Sequence, residues 1–284
     1  MATRPQNYRT IRGDVSVEKS TIIGLILGIL AVGLGMILKG ASLAALVNPA
    51  AIMIIIVGTI AAVFIAFPMQ DLRMVPKLFG ILFKQQKLIP KTELINMFTE
   101  WAMISRREGL LAMEDKIEGI DDAFLKSGVR MIVDGSDQEF VHDVLMEDIA
   151  AMEERHRTGA AIFTQAGTYA PTLGVLGAVV GLVAALSDLS NTEELGHLIS
   201  AAFIATLLGI FTGYVLWHPM ANKLKQRSKK EVAIRLMMIE GLLSIQSGIT
   251  PNAVRQKLEV FLSPAERKAM ELAEGGASRA EEAA

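Results

Sequence analysis

Few residues in this chain could carry chemistry, and their types exclude most enzyme mechanisms. The four histidines (His142, His156, His197 and His218) lie far apart in sequence, and there is no cysteine. Thiolate metal sites and disulfides are therefore excluded, and a histidine metal centre is not expected. A Walker A loop, a Gly-x-Ser-x-Gly elbow and a His-Glu-x-x-His pair are all missing from the sequence. The chain reads as a non-enzyme without a cofactor, so energy for any work must come from a partner or an ion gradient. What remains is polar without being titratable. Thr164, Thr168 and Thr172 recur every four residues, which sets them on one face of a helix. Pro171 interrupts that face within "GTYAPTLGVLGAVVGL" (167–182). It withholds one backbone donor and displaces the carbonyl of Gly167, which in lipid must find another partner. Two readings stand side by side: the hydroxyls bond back to their own helix, or they line a wet path at which the proline shapes a bend. The pairs Gly177/Gly181 and Gly209/Gly213 mark surfaces of close helix approach. A second group, Arg106, Arg107, Glu108 and Glu114, stands on or just beyond a helix expected over 91–112. It is either a solvated face or a partner surface.

The elements that must hold these residues follow from charge and hydropathy. Of the 284 residues, 51% are hydrophobic and only 20% charged. Charge is excluded altogether from 20–38, 40–70, 158–187 and 195–222, each long enough for the ~20 apolar residues of a membrane-spanning helix. The first run exceeds the ~7–15 residues of a signal-peptide core and reads as an uncleaved span. Of the 28 lysines and arginines, all but Lys39 fall outside the two short loops that close the helical hairpins, so both termini are expected on the cytoplasmic side of a multi-pass cell-membrane protein. Net charge is close to neutral, which gives no footprint for nucleic acid. No Asp, Glu, Lys or Arg lies inside the four runs. A proton carrier of the usual intramembrane kind must then come from another polypeptide.

The fold class expected is all-α: four transmembrane helices in two hairpins plus a helical cytoplasmic domain. The divisions are an N-terminal extension (1–19), spans one and two (20–67), a cytoplasmic helical domain (68–160), spans three and four (161–218), amphipathic helices (219–263) and a disordered tail (264–284). Ser136 with Glu139 is expected to cap the helix that continues into span three.

Several long segments, "NPAAIMIIIVGTIAAVFIAFP", "SRREGLLAMED", "TQAGTYAPTLGVLGAVVGLVAAL" and "ATLLGIFTGYVLWHPMANKL", resemble the MotA family of flagellar stator subunits in its bacillar form, within the MotA/TolQ/ExbB proton channel superfamily. The resemblance covers roughly residues 20 to 260. It implies a homopentamer in membrane lipid around a MotB dimer, whose membrane aspartate carries the ion, and a ring that turns to push the rotor protein FliG. It places torque contacts at Arg106 and Glu114. Ion-path or coupling roles fall at Pro171, Pro219 and Thr206, beside Thr168 and Thr172. Sodium-driven relatives carry threonine where this chain has Ala178. Sodium needs oxygens that a methyl group does not offer, so H+ is expected as the transported ion, with Na+ the alternative. A TolQ/ExbB-type energiser would have three spans, and a purely structural scaffold would need no ion path.

Overall fold

The computed structural model describes residues 18–187 and 192–282. The extension before Glu18 lies outside them. The regular structure of the described chain is helical, with no strand among these residues. Among the described residues, four helices are long and apolar enough to cross a membrane: Lys19–Leu38, Leu43–Ala66, Gln138–Ser187 and Glu194–Gln246, called spans one to four below. The chain divides into two compact units. One holds the described residues up to Gln86 together with Glu154–Arg227, and the other holds Lys87–Glu153 with the described residues from Ser228 onward.

The membrane-spanning unit is larger than its apolar runs. After Phe67, held extended by the following proline, the short helix Val75–Phe83 packs Leu82 against Ala160, Phe163, Ala221 and Leu224. That packing joins Val75–Phe83 to the same compact unit as the spans, whose bounds fall at Gln86/Lys87 and, within span three's helix, at Glu153/Glu154. Span one closes at Gly40, whose φ of 74° lets Ala41 donate to the carbonyl of Met36. Within span two, the α-helical part starts with Asn48 accepting from the amide of Ala51, with Pro49 in the first turn. Spans two and four each contain a π-helical turn, Met53–Val57 and Thr212–Trp217. Trp217 packs against three separate buried clusters, around Leu82/Phe163, Ile55/Ala170 and Val63/Ala166.

The second unit has an ordinary apolar core. Phe98 and Trp101 from helix Lys91–Glu108 meet edge to face at 5.5 Å and are buried with Leu125, Val141, Met237 and Leu258. Gly241 makes room for the Phe98 ring, since a Cβ there would lie 2.6 Å from Cγ.

Three local expectations change. The helix expected over 91–112 ends at Glu108, because Gly109 adopts a φ of 86° and turns the chain into a short 3-10 segment, Leu110–Met113. Ser136 does not form the expected cap. Asp137 accepts from the Glu139 amide at 3.1 Å instead, while the Ser136 carbonyl accepts from Gln246 Nε2 at 2.7 Å. The tail expected to lack structure over 264–284 is helical from Pro264 to Glu282. Its start carries a reciprocal capping box: Ser263 Oγ accepts from the Glu266 amide, and Glu266 Oε2 accepts from the Ser263 amide at 2.7 Å. Met270 is buried against the core.

Candidate functional site: the proline contact of spans three and four, and an exposed charged turn

The two groups of residues that stood out in sequence fall in different units. In the membrane-spanning unit, spans three and four approach along a ladder of small residues. A Cβ on Gly174 would lie 2.8 Å from the Cα of Gly209, and one on Gly209 would lie 2.7 Å from the Cα of Gly174 and 2.8 Å from the carbonyl oxygen of Ala170. Gly177 faces Ala205, and Gly181 faces Ala202, each with its Cβ position 3.3 Å from the opposing Cβ. Gly174 is the closest point of the ladder and was not singled out by the Gly-x-x-x-Gly pattern. Its seven-residue spacing from both Gly167 and Gly181 was the available signal.

Pro171 packs onto this ladder. A Cβ on Gly213 would meet Pro171 Cγ at 2.7 Å and the carbonyl oxygen of Gly167 at 2.8 Å. The carbonyl released by the proline therefore faces Gly213, with no room for a side chain between them. Gly213 belongs to the π-helical turn of span four, so Pro171, inside the unbroken α-helix Gln138–Ser187, and a π turn lie directly against each other. The backbone donor missing at Pro171 and the π-helical turn are both points at which a helix admits local rearrangement. The His218 ring covers Gly167 and stands 5.2 Å from the Tyr214 ring.

The hydroxyls follow the back-bonding reading. Thr164 donates to the carbonyl of Ala160 at 3.0 Å, Thr168 to Thr164 at 3.1 Å, Thr172 to Tyr169 at 2.7 Å and Thr206 to Ala202 at 3.4 Å. Each oxygen keeps acceptor capacity, and Thr168 and Thr172 are exposed on the chain's surface while Thr206 is half-buried. Ala178 is half-buried and offers only its methyl group. Pro219 is exposed, in the first turn beyond the π-helical turn.

In the other unit, Arg106 and Glu114 are both exposed but stand on different elements, the end of helix Lys91–Glu108 and the turn Glu114–Ile117. The 3-10 segment between them is pinned by buried Met113 and raises Leu111 to 70% exposure. Arg107 pairs with Glu108 at 3.1 Å. The result is a fixed, solvent-facing turn of mixed charge with an apolar side chain at its tip.

Residues 116–237 match the model of the MotA/TolQ/ExbB proton channel family. The chain is 61% identical over 251 residues to Motility protein A of Bacillus subtilis (strain 168), covering 88% of this chain and 93% of that protein. Its fold is similar to a chain in the structure of the flagellar MotAB stator complex from Bacillus subtilis, with a TM-score of 0.84 over 88% of this chain and 98% of that chain. It is also similar to a chain of C. jejuni MotAB at a TM-score of 0.83 and 30% identity, over 87% and 96% of the two chains. The polar but uncharged span contact and the extent of these matches lead to one assignment: the chain belongs to the MotA/TolQ/ExbB proton channel family.

Proposed function

We propose that this membrane protein is a flagellar stator subunit that, with a MotB-type partner, conducts protons and converts their flow into torque on the rotor. One observation carries the reading. The four spans hold no ionisable Asp, Glu, Lys or Arg in their apolar runs, yet the chain belongs to an ion-channel family. The carboxylate that takes up the ion is then the partner's, and the similarity to a chain of the MotAB stator complex supports MotB in that role. The working assembly is a homopentamer around a MotB dimer, with both termini in the cytoplasm and the charged turn at Arg106 and Glu114 meeting FliG.

Proton rather than sodium transport is supported by Ala178. A dehydrated sodium ion needs several oxygens, whereas a proton moves along hydroxyls and water to one carboxylate. The contact of Pro171 with the π-helical turn is the element whose rearrangement the ion cycle biases. Swimming speed measured against external pH and against sodium tests the ion: it should follow pH and ignore sodium. Speed that tracks sodium would overturn proton use, and proton conduction by this chain expressed alone would overturn the need for a partner. Arg106→Glu or Glu114→Lys should cut motility while membrane assembly stays intact. Normal swimming would return the turn to a solvated surface.

A further inference from the structure

Span one is the least packed of the four. Only 6% of its apolar window is buried, against 22% in each of the others, and Met36 is its one buried residue. Its mid-membrane contact is at Gly28, where a Cβ would lie 2.6 Å from Val215 Cγ1 and 4.0 Å from Val215 Cβ. Val215 lies within the π-helical turn that touches Pro171 from span three.

What span one lacks in packing it has in polar contacts at its first turn. Glu18 Oε1 accepts from Ser20 Oγ at 2.9 Å and stands 3.4 Å from Lys223 Nζ, and Oε2 stands 3.3 Å from Arg227 Nη2. Lys223 also donates to the hydroxyls of Ser20 and Thr21. The same residues cap the carbonyls that the short helix Val75–Phe83 leaves open at its end. Arg227 donates to the carbonyls of Ile81 and Lys84, Thr21 Oγ1 donates to Leu82 at 3.1 Å, and the Glu18 amide donates to Phe83 at 2.9 Å. The Arg227 side chain is only 11% exposed, with Lys223 at 22% and Glu18 at 25%, so the cluster is less screened than a surface ion pair. The Ser20 hydroxyl, then the two cations, hold the Glu18 carboxyl below its ordinary range.

We propose that this clasp of Glu18, Lys223 and Arg227 holds span one against the π-helical turn of span four, making the three of them positioning residues for that turn. The inference goes beyond the ion-driven function above, and its test does not use ion flow, so either can fail alone. The chain has no cysteine, and the 4.0 Å separation at Gly28/Val215 falls within disulfide reach. Gly28→Cys with Val215→Cys in the full chain in membranes should therefore cross-link on oxidation. Gly181→Cys with Ala202→Cys, on spans three and four, serves as the control.

Adding Arg227→Ala should slow the first cross-link by at least about tenfold, the factor commanded by one lost charge-assisted hydrogen bond, and leave the control unchanged. Glu18→Gln, of nearly unchanged shape, should also slow it and decides the matter if Arg227→Ala does not accumulate. Glu18→Asp, which keeps the carboxylate, should restore it. Three results overturn the proposal: no cross-link at Gly28/Val215 with the clasp intact, an unchanged rate when the clasp is cut, or equal loss at the control pair.

Discussion

The two units of this chain use glycine in opposite ways. In the membrane-spanning unit, Gly174 and Gly209 bring two backbones together, and the obstacle to a side chain at either is main chain. In the other unit, Gly241 accommodates the Phe98 ring and Gly128 accommodates Leu242, so there the obstacle is a side chain. Lipid gives apolar helices no drive to associate, and close backbone approach supplies the contact. In water, burial of large rings and branched chains does that work. The difference predicts which substitutions a compensating change can rescue.

The largest effect is expected in the second unit. Phe98→Ala should cost about 3–5 kcal/mol of stability, read as lost hydrogen-exchange protection across Lys91–Glu108 in the full chain. Gly209→Ala should cost about 1–3 kcal/mol, read by thermal unfolding in detergent. Trimming one neighbouring side chain should not restore it, because the new methyl meets Gly174 Cα and the Ala170 carbonyl. Gly241→Ala supplies the contrast. Its methyl meets the Phe98 ring, and Phe98→Leu should recover part of the loss. Rescue of Gly209→Ala by a side-chain truncation would break the comparison.

Smaller effects sharpen it at the end of the chain. Ser263→Ala removes one side of the capping box and should cost about 1 kcal/mol, confined to exchange of the first amides after Pro264. The smallest effect is a pH dependence. Glu266 is held below its ordinary value first by the Ser263 amide, then by the Ser263 hydroxyl and Lys91. A depressed carboxylate contributes its full stabilisation above the unfolded pKa and loses it as pH falls through the folded one. Protection of that first turn should therefore hold near neutrality and weaken below about pH 4. Because Glu266 is 44% exposed, the change should be small and salt-sensitive.

Much of this was legible in the residues. Exclusion of charge from four runs gave the spans, and the i, i+4 hydroxyls gave the stripe. The choice between a wet face and back-bonding lay beyond sequence, because both use the same threonines. The Gly174/Gly209 crossing depends on where two helices meet, which no local pattern encodes. The clasp joins Glu18 to a residue 209 positions away. The end of the helix at Glu108 was written in Gly109, and the last helix in Ser263-Pro-Ala-Glu266. Both signals were outweighed by longer-range features, an apolar periodicity in one case and an Ala/Glu/Gly composition in the other.

The distribution of tryptophan has a practical consequence. The chain contains two, and they fall one to each unit: Trp101 is 2% exposed beside Phe98, and Trp217 stands where three buried clusters meet within the π-helical turn. Trp101→Phe would leave a single tryptophan, excitable apart from the three tyrosines, in the π-helical turn that Pro171 touches. Rearrangement of that contact could then be followed as a change in emission, without attaching a label.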